Sequence, residues 1–356
     1  MRIVSVVGAR PQLIKLAALH RELNRFDIDH QVINTGQHYD RNLAGVFFDE
    51  LKLPEPRYDL GVGSAATGEM VAKILAGSAR ALRKLAPDLV VVYGDTNSTL
   101  GGALAAAQLG YKLAHVEAGL RCFDLSIPEE LNRVVTDRIA DIHFCPTPQA
   151  KLNLKKEGII RRVYQTGDIL YDVMQSVLPS KKEMTSQVAR FGLEVGRYLL
   201  VTLHRSDSVD DRDKLRRLVS LLASLREQVF FPIHPRTRKR LRQFDLMSRL
   251  KQRANIKIVP PCGYRESLSL VASARMVLTD SGGIQREAYR LRVPTLLLRE
   301  VTEWVEILKA RGSMIVGFDR DKLKYGLYRR RFCFTDRLLC RSGAANRIAK
   351  LLRQLV

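Results

Sequence analysis

Three segments between residues 90 and 137 decide the fold of this chain: VVVYGDTNSTL (90–100), HVEAGLRCF (115–123) and PEELNRVVTD (128–137). The apolar run that ends at Tyr93 and the run from Lys112 to Val116 are typical of buried parallel strands. Each run is followed by a turn that contains glycine. Pro128 suits the first position of a helix, where its missing N–H is not needed. The segments therefore predict an α/β fold in which parallel strands alternate with helices.

Three acidic side chains, Asp95, Glu117 and Glu129, stand where these predicted elements end or begin. In open α/β sheets, ligands bind at the carboxyl ends of the strands, so the three carboxylates should converge on one crevice. Each acid taken alone is equally well explained as a turn or cap residue, and Glu129 could pair with Arg133 one helical turn on. Together the three acids favour proton-transfer chemistry on a substrate.

The composition is that of a globular protein rather than a membrane or disulfide-rich one. The 356 residues suffice for two domains; 46% are hydrophobic and 27% are charged. The apolar run at the amino terminus is too short for a signal peptide, and no run reaches the ~20 residues needed to span a bilayer. The five cysteines form no CxxC pair, which predicts neither a zinc site nor a disulfide framework. We therefore expect a cytoplasmic protein without a membrane partner.

The formal net charge of +22 at pH 7 is high for a metabolic enzyme. It is compatible with a polyanionic partner, such as nucleic acid or an anionic membrane surface. It is equally compatible with a generally basic surface and a cleft that favours phosphates. The sequence contains no aromatic-bearing RNP strand and no zinc finger, which disfavours a nucleic-acid partner.

Short apolar runs and stretches of helical periodicity alternate along the whole chain. In the first half we predict strands at 3–7, 30–34, 89–93, 112–116, 142–145 and 163–166. The pattern restarts after Gly167 and Asp168, with strands at 198–202, 230–233, 256–259, 276–279, 295–298 and 314–316. The sequence thus predicts two Rossmann-like domains, residues 1–168 and 169–342. A last helix at 343–356 is a candidate for packing back on the first domain.

The segment VVGARPQLIK (6–15) joins the first strand to a helix that opens at Pro11. Arg10 and Lys15 then stand near a helix N-terminus, where backbone N–H groups already favour an anion. The segment is neither a Walker loop nor a G-x-G-x-x-G fingerprint. It predicts either a phosphate or carboxylate site or a solvated cationic turn.

The segment LTDSGGIQREA (278–288) predicts a strand, a glycine turn and a helix. Gly282 and Gly283 would let a pyrophosphate approach the backbone closely, and Ser281 would add a hydroxyl donor. Glu287 lies one helical turn further, within reach of a ribose diol, and an acid is the usual residue for holding sugar hydroxyls. The alternative is a glycine turn that serves only the shape of the backbone.

Three histidines follow predicted strands. His204 lies in VTLHRSDS (201–208) beside Arg205, and His234 lies in the arginine-rich segment FPIHPRTR (231–238). A histidine and an arginine at a strand end suit a phosphate site, although a histidine after a buried strand is often a packing residue. His38, in NTGQHYD (34–40), is compatible with a ligand contact or with a turn residue, and the sequence does not choose between them.

These segments together carry a family resemblance. The motifs GARPQ-x-IK, TGQH, YGDTNSTL, HVEAGLR, PEE-x-NR, HPRTR, TDSGGIQ-x-EA and TEWVE occur in the order and spacing of one family. Over residues 1–319 the chain resembles the non-hydrolysing UDP-N-acetylglucosamine 2-epimerases. Each motif alone is modest, but the combination is highly specific.

The resemblance implies a glycosyltransferase-B-like fold, in which two Rossmann-like domains enclose a deep interdomain cleft with the active site. It implies a UDP-sugar substrate, a homodimer, no cofactor, no metal ion and a role in surface polysaccharide synthesis. The implied reaction inverts C2 of the sugar by eliminating UDP to give a 2-acetamidoglucal and adding UDP back. A proton is then removed and returned on opposite faces, which needs more than one acid or base.

The functional residues of the family are carried over by position. Asp95, Glu117 and Glu129 match its catalytic acids, and His204 matches the catalytic histidine near the diphosphate. Which carboxylate is the base and which is the acid is left open. The positions that match substrate-binding residues or are candidates for that role are Arg10, Lys15, His38, Arg205, His234, Ser281, Gly282, Gly283 and Glu287.

The chain departs from the family at several positions. The common pattern GTRPE is replaced by GARPQ, which places Gln12 where the family has an acid, and Arg286 also replaces an acid. After His38 the chain has Tyr39 and Asp40, which argues against the second, activating substrate site of some bacterial members. Several motifs (GARPQ, YGDTNSTL, HPRTR and TEWVE) resemble the branch of UDP-2,3-diacetamido-2,3-dideoxyglucuronate 2-epimerases. The substituents at C3 and C6 of the sugar therefore stay open.

Three other functions are compatible with parts of the sequence. A hydrolysing epimerase would use the same elimination but release UDP and N-acetylmannosamine. A glycosyltransferase on the same scaffold would explain the nucleotide site but would leave the three acids without a clear purpose. A nucleic-acid-binding protein would explain the basic charge but not the acids.

Overall fold

The structure is a computed structural model that describes residues 1–37, 53–63, 66–329, 331–335 and 342–355. The chain divides into two units, of which the first contains Met1–Ser176 and Leu339–Val356 and the second contains Val177–Leu338. The division after Ser176 lies later in the chain than the predicted division after residue 168, because the helix Ile169–Val177, which begins at the predicted boundary, falls almost wholly in the first unit. Each unit is built around one parallel sheet, which confirms the predicted α/β class.

The first unit contains a seven-stranded sheet. Its strands are β1 (Arg2–Val7), β2 (Asp29–Asn34), β3 (Tyr58–Asp59), β4 (Leu89–Tyr93), β5 (Lys112–Val116), β6 (Ile142–Cys145) and β7 (Val163–Gln165). They are arranged in the order β3-β2-β1-β4-β5-β6-β7. The helices between and after them are α1 (Arg10–Asn24), α2 (Thr67–Leu85), α3 (Asn97–Gln108), α4 (Pro128–Ile139), α5 (Pro148–Lys156) and α6 (Ile169–Val177).

Strands β4 and β5 are neighbours in this sheet, and both have the bounds that the sequence predicts. All five residues of β4 are buried, as expected for a parallel strand covered on both faces. The register places Tyr93 opposite Val116, so the two strands end level with each other. The turns that begin at Gly94 and Glu117 therefore start side by side.

Helix α3, which follows Asp95, packs closely against its neighbours through two glycines. A Cβ atom at Gly101 would lie 2.6 Å from Cγ2 of Ile74 in α2. A Cβ atom at Gly102 would lie 2.8 Å from Cγ1 of Val6 in β1. The small residues of this helix therefore allow it to lie close to the sheet.

The second unit contains a six-stranded parallel sheet. Its strands are β8 (Tyr198–Thr202), β9 (Gln228–Pro232), β10 (Ile256–Val259), β11 (Met276–Thr279), β12 (Thr295–Leu297) and β13 (Ser313–Ile315), in the order β10-β9-β8-β11-β12-β13. Its helices are α7 (Lys181–Arg190), α8 (Ser206–Val209), α9 (Arg212–Ala223), α10 (Pro235–Gln243), α11 (Met247–Lys251), α12 (Tyr264–Ser273), α13 (Gly282–Arg290), α14 (Val305–Lys309) and α15 (Arg320–Tyr328). Among the described residues of either unit, no helix is long and apolar enough to cross a membrane.

Helix α7 lies in the stretch 180–197, for which the sequence predicts no element. Only Val188 of this helix is buried, so hydrophobic periodicity is weak. Its start is fixed by a capping box, in which the hydroxyl of Ser180 accepts a hydrogen bond from the N–H of Glu183 at 3.3 Å. The carboxylate of Glu183 in turn accepts one from the N–H of Ser180 at 2.7 Å. The S-x-x-E pattern was the available signal for this helix.

The last helix, α16 (Ala344–Leu355), belongs to the first unit. The carboxylate of Asp172 accepts hydrogen bonds from the N–H groups of Gly343 at 2.6 Å and Ala345 at 2.7 Å, at the start of this helix. The side chain of Asn346 donates to Glu22 of α1 at 2.8 Å. These contacts join the end of the chain to the first sheet and its helices.

Candidate functional site

Glu117 lies directly after β5 and forms a buried ion pair with Lys15 of α1. Oε2 of Glu117 lies 2.8 Å from Nζ of Lys15, and the two side chains are 8% and 4% exposed. The backbone of Glu117 is left-handed, with φ of 77°. Residues with a Cβ atom adopt this conformation rarely, and such conformations concentrate at functional sites. The backbone thus supports the prediction that Glu117 belongs to a site.

Gly94 separates β4 from Asp95 and lies against this ion pair. Its φ is 64°, and a Cβ atom there would lie 2.9 Å from Nζ of Lys15 and 3.6 Å from Oε1 of Glu117. Both the positive φ and the close approach favour glycine. The turns that carry Asp95 and Glu117 are therefore packed against each other.

Asp95 forms an ion pair with Arg133 of α4. Arg133 is buried, and its Nη2 also lies 2.7 Å from Oε2 of the buried Glu130. The side chain of Asn132 donates to the carbonyl oxygen of Asp95 at 2.9 Å. The first turns of α4 thus hold Asp95 in place. The sequence assigned no role to Arg133 or Glu130 in the site, although both lie in the PEE-x-NR motif.

Glu129 lies in the first turn of α4 and is half-buried. Within the described part of the chain it forms no hydrogen bond or ion pair. The alternative of a pair with Arg133 is not observed, because Arg133 contacts Asp95 and Glu130 instead. Glu129 therefore differs from Asp95 and Glu117, each of which faces a cation.

Gln12 fixes the turn between β1 and α1. Its Oε1 accepts hydrogen bonds from the N–H groups of Gly8 at 2.9 Å and Ala9 at 3.0 Å. Its Nε2 donates to the carbonyl oxygen of Tyr93 at 3.0 Å. An amide can accept and donate at once, whereas an ionised carboxylate can only accept. The departure from the family pattern at this position thus ties the turn to β4, and Arg10, the half-buried first residue of α1, lies on that turn.

His38 lies outside the described residues, so its role stays a prediction. The preceding residue, Gln37, is described. Its Oε1 accepts hydrogen bonds from the N–H of Ser98 at 3.0 Å and from the hydroxyl of Ser98 at 2.7 Å. Gln37 therefore contacts the start of α3, the helix that follows Asp95.

In the second unit, Asp280 organises several of the predicted site residues. The N–H groups of His204 and Arg205 each donate to Oδ2 of Asp280 at 2.9 Å, and Nδ1 of His204 lies 3.3 Å from Oδ1. Burial would raise the pKa of Asp280, but the charge of His204 and these hydrogen bonds outweigh it and lower the pKa. The sequence predicts no role for Asp280, although it directly precedes Ser281 in the glycine turn.

Ser281, Gly282 and Gly283 form the start of α13. The hydroxyl of Ser281 caps the helix by accepting a hydrogen bond from the N–H of Ile284 at 3.3 Å. A Cβ atom at Gly282 would lie 2.3 Å from Oε1 of Glu303, whereas one at Gly283 would meet only Oγ of Ser281, at 3.7 Å. The backbone is therefore crowded at Gly282 and open at Gly283. The N-terminus of this nine-residue helix favours an anion.

Glu287 lies in α13 and is 5% exposed. The hydroxyl of Tyr264, at the start of α12, donates to its Oε1 at 3.0 Å. The carboxylate is therefore oriented by a tyrosine that the sequence did not single out. The preceding Arg286 stacks on Trp304, with its guanidinium carbon 4.2 Å from the ring centre, which accounts for an arginine at a position where the family has an acid.

His234 and Arg205 lie close to other predicted site residues. Nδ1 of His234 accepts a hydrogen bond from the N–H of Arg236 at 3.2 Å and so caps α10. The ring centres of His204 and His234 are 5.6 Å apart. Nη2 of Arg205 lies 3.6 Å from Oε1 of Glu303. Cationic and hydrogen-bonding groups thus gather where β8 and β9 end.

The composition of these two clusters is that of proton-transfer and anion-binding sites. Among the residues that the structure describes, no group of three or more histidine, cysteine, aspartate or glutamate side chains is placed to hold a metal ion. In the first unit, two of the three acids are instead paired with Lys15 and Arg133.

The sequence profile of the UDP-N-acetylglucosamine 2-epimerase family matches residues 21–331. This chain belongs to that family. A UDP-N-acetylglucosamine 2-epimerase homolog of Methanococcus maripaludis is 43% identical over 324 residues, which cover 91% of this chain and 90% of that protein. The UDP-2,3-diacetamido-2,3-dideoxy-D-glucuronate 2-epimerase of Pseudomonas aeruginosa is 37% identical, again over 91% of this chain and 90% of that protein.

A solved structure of an epimerase family member has the same fold. The crystal structure of Methanocaldococcus jannaschii UDP-GlcNAc 2-epimerase in complex with UDP-GlcNAc and UDP matches with a TM-score of 0.94 and 39% identity, over 99% of this chain and 100% of that chain. The predicted epimerase resemblance, the predicted isomerase class and the predicted fold are therefore confirmed.

Proposed function

We propose that this protein catalyses the reversible C2 epimerisation of a UDP-2-acetamido sugar, from UDP-N-acetylglucosamine to UDP-N-acetylmannosamine. The observation that carries the proposal is the placement of Asp95, Glu117 and Glu129 around adjoining turns of the first unit, in a chain of the epimerase family. Two of these acids face a cation, and the third, Glu129, faces none among the residues that the structure describes. The product would supply the synthesis of a surface polysaccharide.

The chemistry of the reaction explains why several carboxylates are needed. The C2 proton is not acidic by itself, so UDP must leave C1 as that proton is removed. Inversion then requires a proton to be taken from one face and returned to the other, which calls for two acid–base groups in different positions. Asp95, Glu117 and Glu129 supply such groups, and Lys15 and Arg133 hold two of them in fixed orientations.

The second unit contributes the binding of UDP in this proposal. The backbone N–H groups at the start of α13, with Ser281 and Gly283, bind the diphosphate. His204, oriented by Asp280, donates a hydrogen bond or a proton to the diphosphate as it leaves. Glu287, oriented by Tyr264, accepts hydrogen bonds from the ribose hydroxyls.

Product analysis after incubation with UDP-N-acetylglucosamine tests the proposal. We expect an equilibrium mixture of the two UDP-sugars without accumulation of UDP. Stoichiometric release of UDP and N-acetylmannosamine would identify a hydrolysing enzyme instead. If the protein converts neither UDP-N-acetylglucosamine nor UDP-2,3-diacetamido-2,3-dideoxyglucuronate, the proposal is contradicted.

A second candidate substrate is UDP-2,3-diacetamido-2,3-dideoxyglucuronate. It is supported by the 37% identity to the Pseudomonas aeruginosa enzyme of that name and by the motifs GARPQ, YGDTNSTL, HPRTR and TEWVE. The extra carboxylate of this sugar would suit a basic protein with a net charge of +22. A comparison of kcat/KM for the two sugars distinguishes the candidates.

The homodimer and the cytoplasmic location stay predictions. The first rests on the family resemblance and the second on the composition of the chain. Size-exclusion chromatography with light scattering tests the homodimer, for which we expect twice the mass of one chain. A mass equal to one chain at micromolar concentration would contradict it.

A further inference from the structure

A group of four charged or ionisable side chains lies beside the turns that carry the candidate acids, and all but the partly exposed Glu157 are buried. His115 of β5 and Asp137 of α4 are both fully buried, and Nδ1 of His115 lies 2.7 Å from Oδ1 of Asp137. Nη1 of Arg121 donates to Oδ2 of Asp137 at 2.7 Å. The same guanidinium donates through Nε and Nη2 to the two carboxylate oxygens of Glu157, both at 2.8 Å. The group has no place in the proton-transfer chemistry proposed above.

Two members of this group contact the turns themselves. Nε2 of His115 lies 2.8 Å from the carbonyl oxygen of Gly94, the residue before Asp95. Oδ2 of Asp137 accepts a hydrogen bond from the N–H of Gly119, two residues after Glu117, at 3.0 Å. The pair formed by His115 and Asp137 therefore reaches both turns at once.

The partners of His115 determine where its ring carries hydrogen. A carbonyl oxygen only accepts hydrogen bonds, so Nε2 must carry a hydrogen to bond to Gly94. Burial would raise the pKa of Asp137, but the charges and hydrogen bonds of His115 and Arg121 outweigh it and lower the pKa to about 2. Oδ2 of Asp137 accepts hydrogen bonds from Arg121 and from the N–H of Gly119, which favours a carboxylate whatever the state of His115. A carboxylate only accepts, so Nδ1 must carry a hydrogen as well.

The charges of the group balance only if the ring is protonated. With an imidazolium at His115, two cations face the carboxylates of Asp137 and Glu157. With a neutral ring, Arg121 alone would face both carboxylates, of which Asp137 is fully buried and Glu157 is 29% exposed. Of the other ionisable neighbours, Asp141 accepts a hydrogen bond from the N–H of Leu113, and burial raises the pKa of Cys145.

A second histidine beside this group has different hydrogen-bond partners from those of His115. His143 of β6 pairs with His115 in the sheet register and is also buried. Its Nε2 lies 2.7 Å from the carbonyl oxygen of Asp137, while its Nδ1 has no hydrogen-bond partner among the described residues. Burial lowers its pKa. His143 thus fits a neutral ring with one hydrogen, and neither of its ring nitrogens bonds to a turn that carries a candidate acid.

We infer that His115 is a positioning residue whose two ring nitrogens both donate hydrogen bonds, one to Asp137 and one to the carbonyl oxygen of Gly94. His115 donates to the carbonyl oxygen of Gly94, and its counterion Asp137 accepts from the N–H of Gly119. One buried ion pair therefore fixes the distance between the two turns that carry Asp95 and Glu117. The inference rests on the proposed function for its catalytic consequence, because a misplacement of about 1 Å can cost a reaction about 100-fold. The protonation of the ring itself does not depend on what the protein catalyses.

Nitrogen NMR of the full-length protein labelled with ¹⁵N-histidine tests the protonation directly. Of the seven histidines, His115 is assigned by the signal that His115→Gln removes, or His115→Asn if that variant does not fold. We expect both ring nitrogens of His115 to carry hydrogen at pH 7, because each faces an acceptor. A single protonated nitrogen at pH 7 would overturn the inference, whether or not the protein turns over a UDP-sugar.

Kinetics of His115→Gln and of the matched control His143→Gln test the positioning role. We expect His115→Gln to lower kcat at least about tenfold while KM changes less than about twofold, since substrate contacts are retained. His143→Gln should lose stability but keep kcat within about threefold. Equal kcat values in the two variants would refute the positioning role. Failure of the wild-type protein to epimerise any UDP-sugar would refute the proposed function while leaving the NMR result decisive.

Discussion

At the scale of single residues, the three acids of the candidate site differ in the side chains that surround them. Glu117 is buried against Lys15, Asp95 is held by Arg133, and Glu129 has no partner among the described residues. Three carboxylates with different partners can take different parts in one reaction, because partners determine how readily each accepts or returns a proton. Substitutions of individual acids should therefore have distinct effects.

Replacement of the two paired acids tests their part in proton transfer. We expect Asp95→Asn and Glu117→Gln each to lower kcat at least about 100-fold, since an amide can neither accept the C2 proton nor return one. Circular dichroism should show that both variants fold, although Glu117→Gln leaves Lys15 buried without its counterion and should melt at a lower temperature. Near-wild-type turnover in either variant would show that the acid–base assignment is wrong.

The second unit gives a separate prediction for nucleotide binding. We expect Glu287→Ala to weaken UDP binding about tenfold and to leave kcat nearly unchanged, because the ribose contact is the same in the ground state and the transition state. Tyr264→Phe removes the hydrogen bond that orients Glu287 and should have a smaller effect in the same direction. Isothermal titration measures the affinity of both variants for UDP, and steady-state kinetics measures kcat. Unchanged affinity together with a collapsed rate would contradict the ribose role.

At the scale of elements, both clusters are built where a strand of a parallel sheet ends. The level ends of β4 and β5 place the turns at Gly94 and Glu117 side by side, and positive φ angles at both residues shape those turns. In the second unit, β11 is followed by Asp280 and then by the N-terminus of α13. Such turns depend on glycine where the backbone approaches another group.

The two glycines of the α13 turn should respond differently to alanine. We expect Gly282→Ala to destabilise the protein, because its Cβ would lie 2.3 Å from Oε1 of the buried Glu303. Gly283→Ala has room for its Cβ in the free protein and should fold normally. It should nevertheless weaken UDP binding if the diphosphate lies against this turn. Melting temperatures and UDP titrations of the pair provide the test, and normal UDP affinity in Gly283→Ala would argue against that location.

Much of this architecture could be predicted from the sequence, because strands and the turns after them follow from local patterns of apolar residues and glycines. The continuous apolar run of β4 and the mostly apolar run of β5 predict the bounds of these strands, and the predicted acids lie at the ends or starts of elements. The partners of those acids could not be predicted in the same way. Arg133 and Asp280 are charged and buried by contacts with residues far away in the chain, so no periodicity marks them. Helix α7 was missed because it buries little apolar surface.

At the scale of the whole molecule, a buried histidine couples stability to pH. In the first unit, Nε2 of His30 lies 2.8 Å from the hydroxyl of Ser5, which lies 2.7 Å from the hydroxyl of Tyr93. Nδ1 of His30 lies 2.8 Å from Nδ1 of His20. Burial, assisted by His20 and opposed by Asp29, lowers the pKa of His30 to about 3. The folded protein therefore resists protonation at a position that the unfolded chain protonates near pH 6.5.

This shift predicts a loss of stability under mildly acidic conditions. Between pH 6.5 and pH 3 the unfolded chain binds a proton that folded His30 does not, so stability is complete above pH 6.5 and falls as the pH decreases. The slope from this group is at most about 1.4 kcal/mol per pH unit. We expect the melting temperature to fall from pH 7 to pH 5, and to fall less in His30→Gln when each protein is compared with its own value at pH 8. Equal slopes would show that His30 is not responsible.

The measurement that tests the central claim most directly is proton NMR of UDP-N-acetylglucosamine incubated with the protein in D₂O. The account predicts a new UDP-sugar with the N-acetylmannosamine configuration and deuterium at C2, and no such exchange with Glu117→Gln. Conversion that leaves the original hydrogen at C2 would contradict proton transfer through the carboxylates. A sugar that stays unconverted and protonated at C2, together with an unreactive diacetamido-uronate analogue, would contradict the epimerase activity itself.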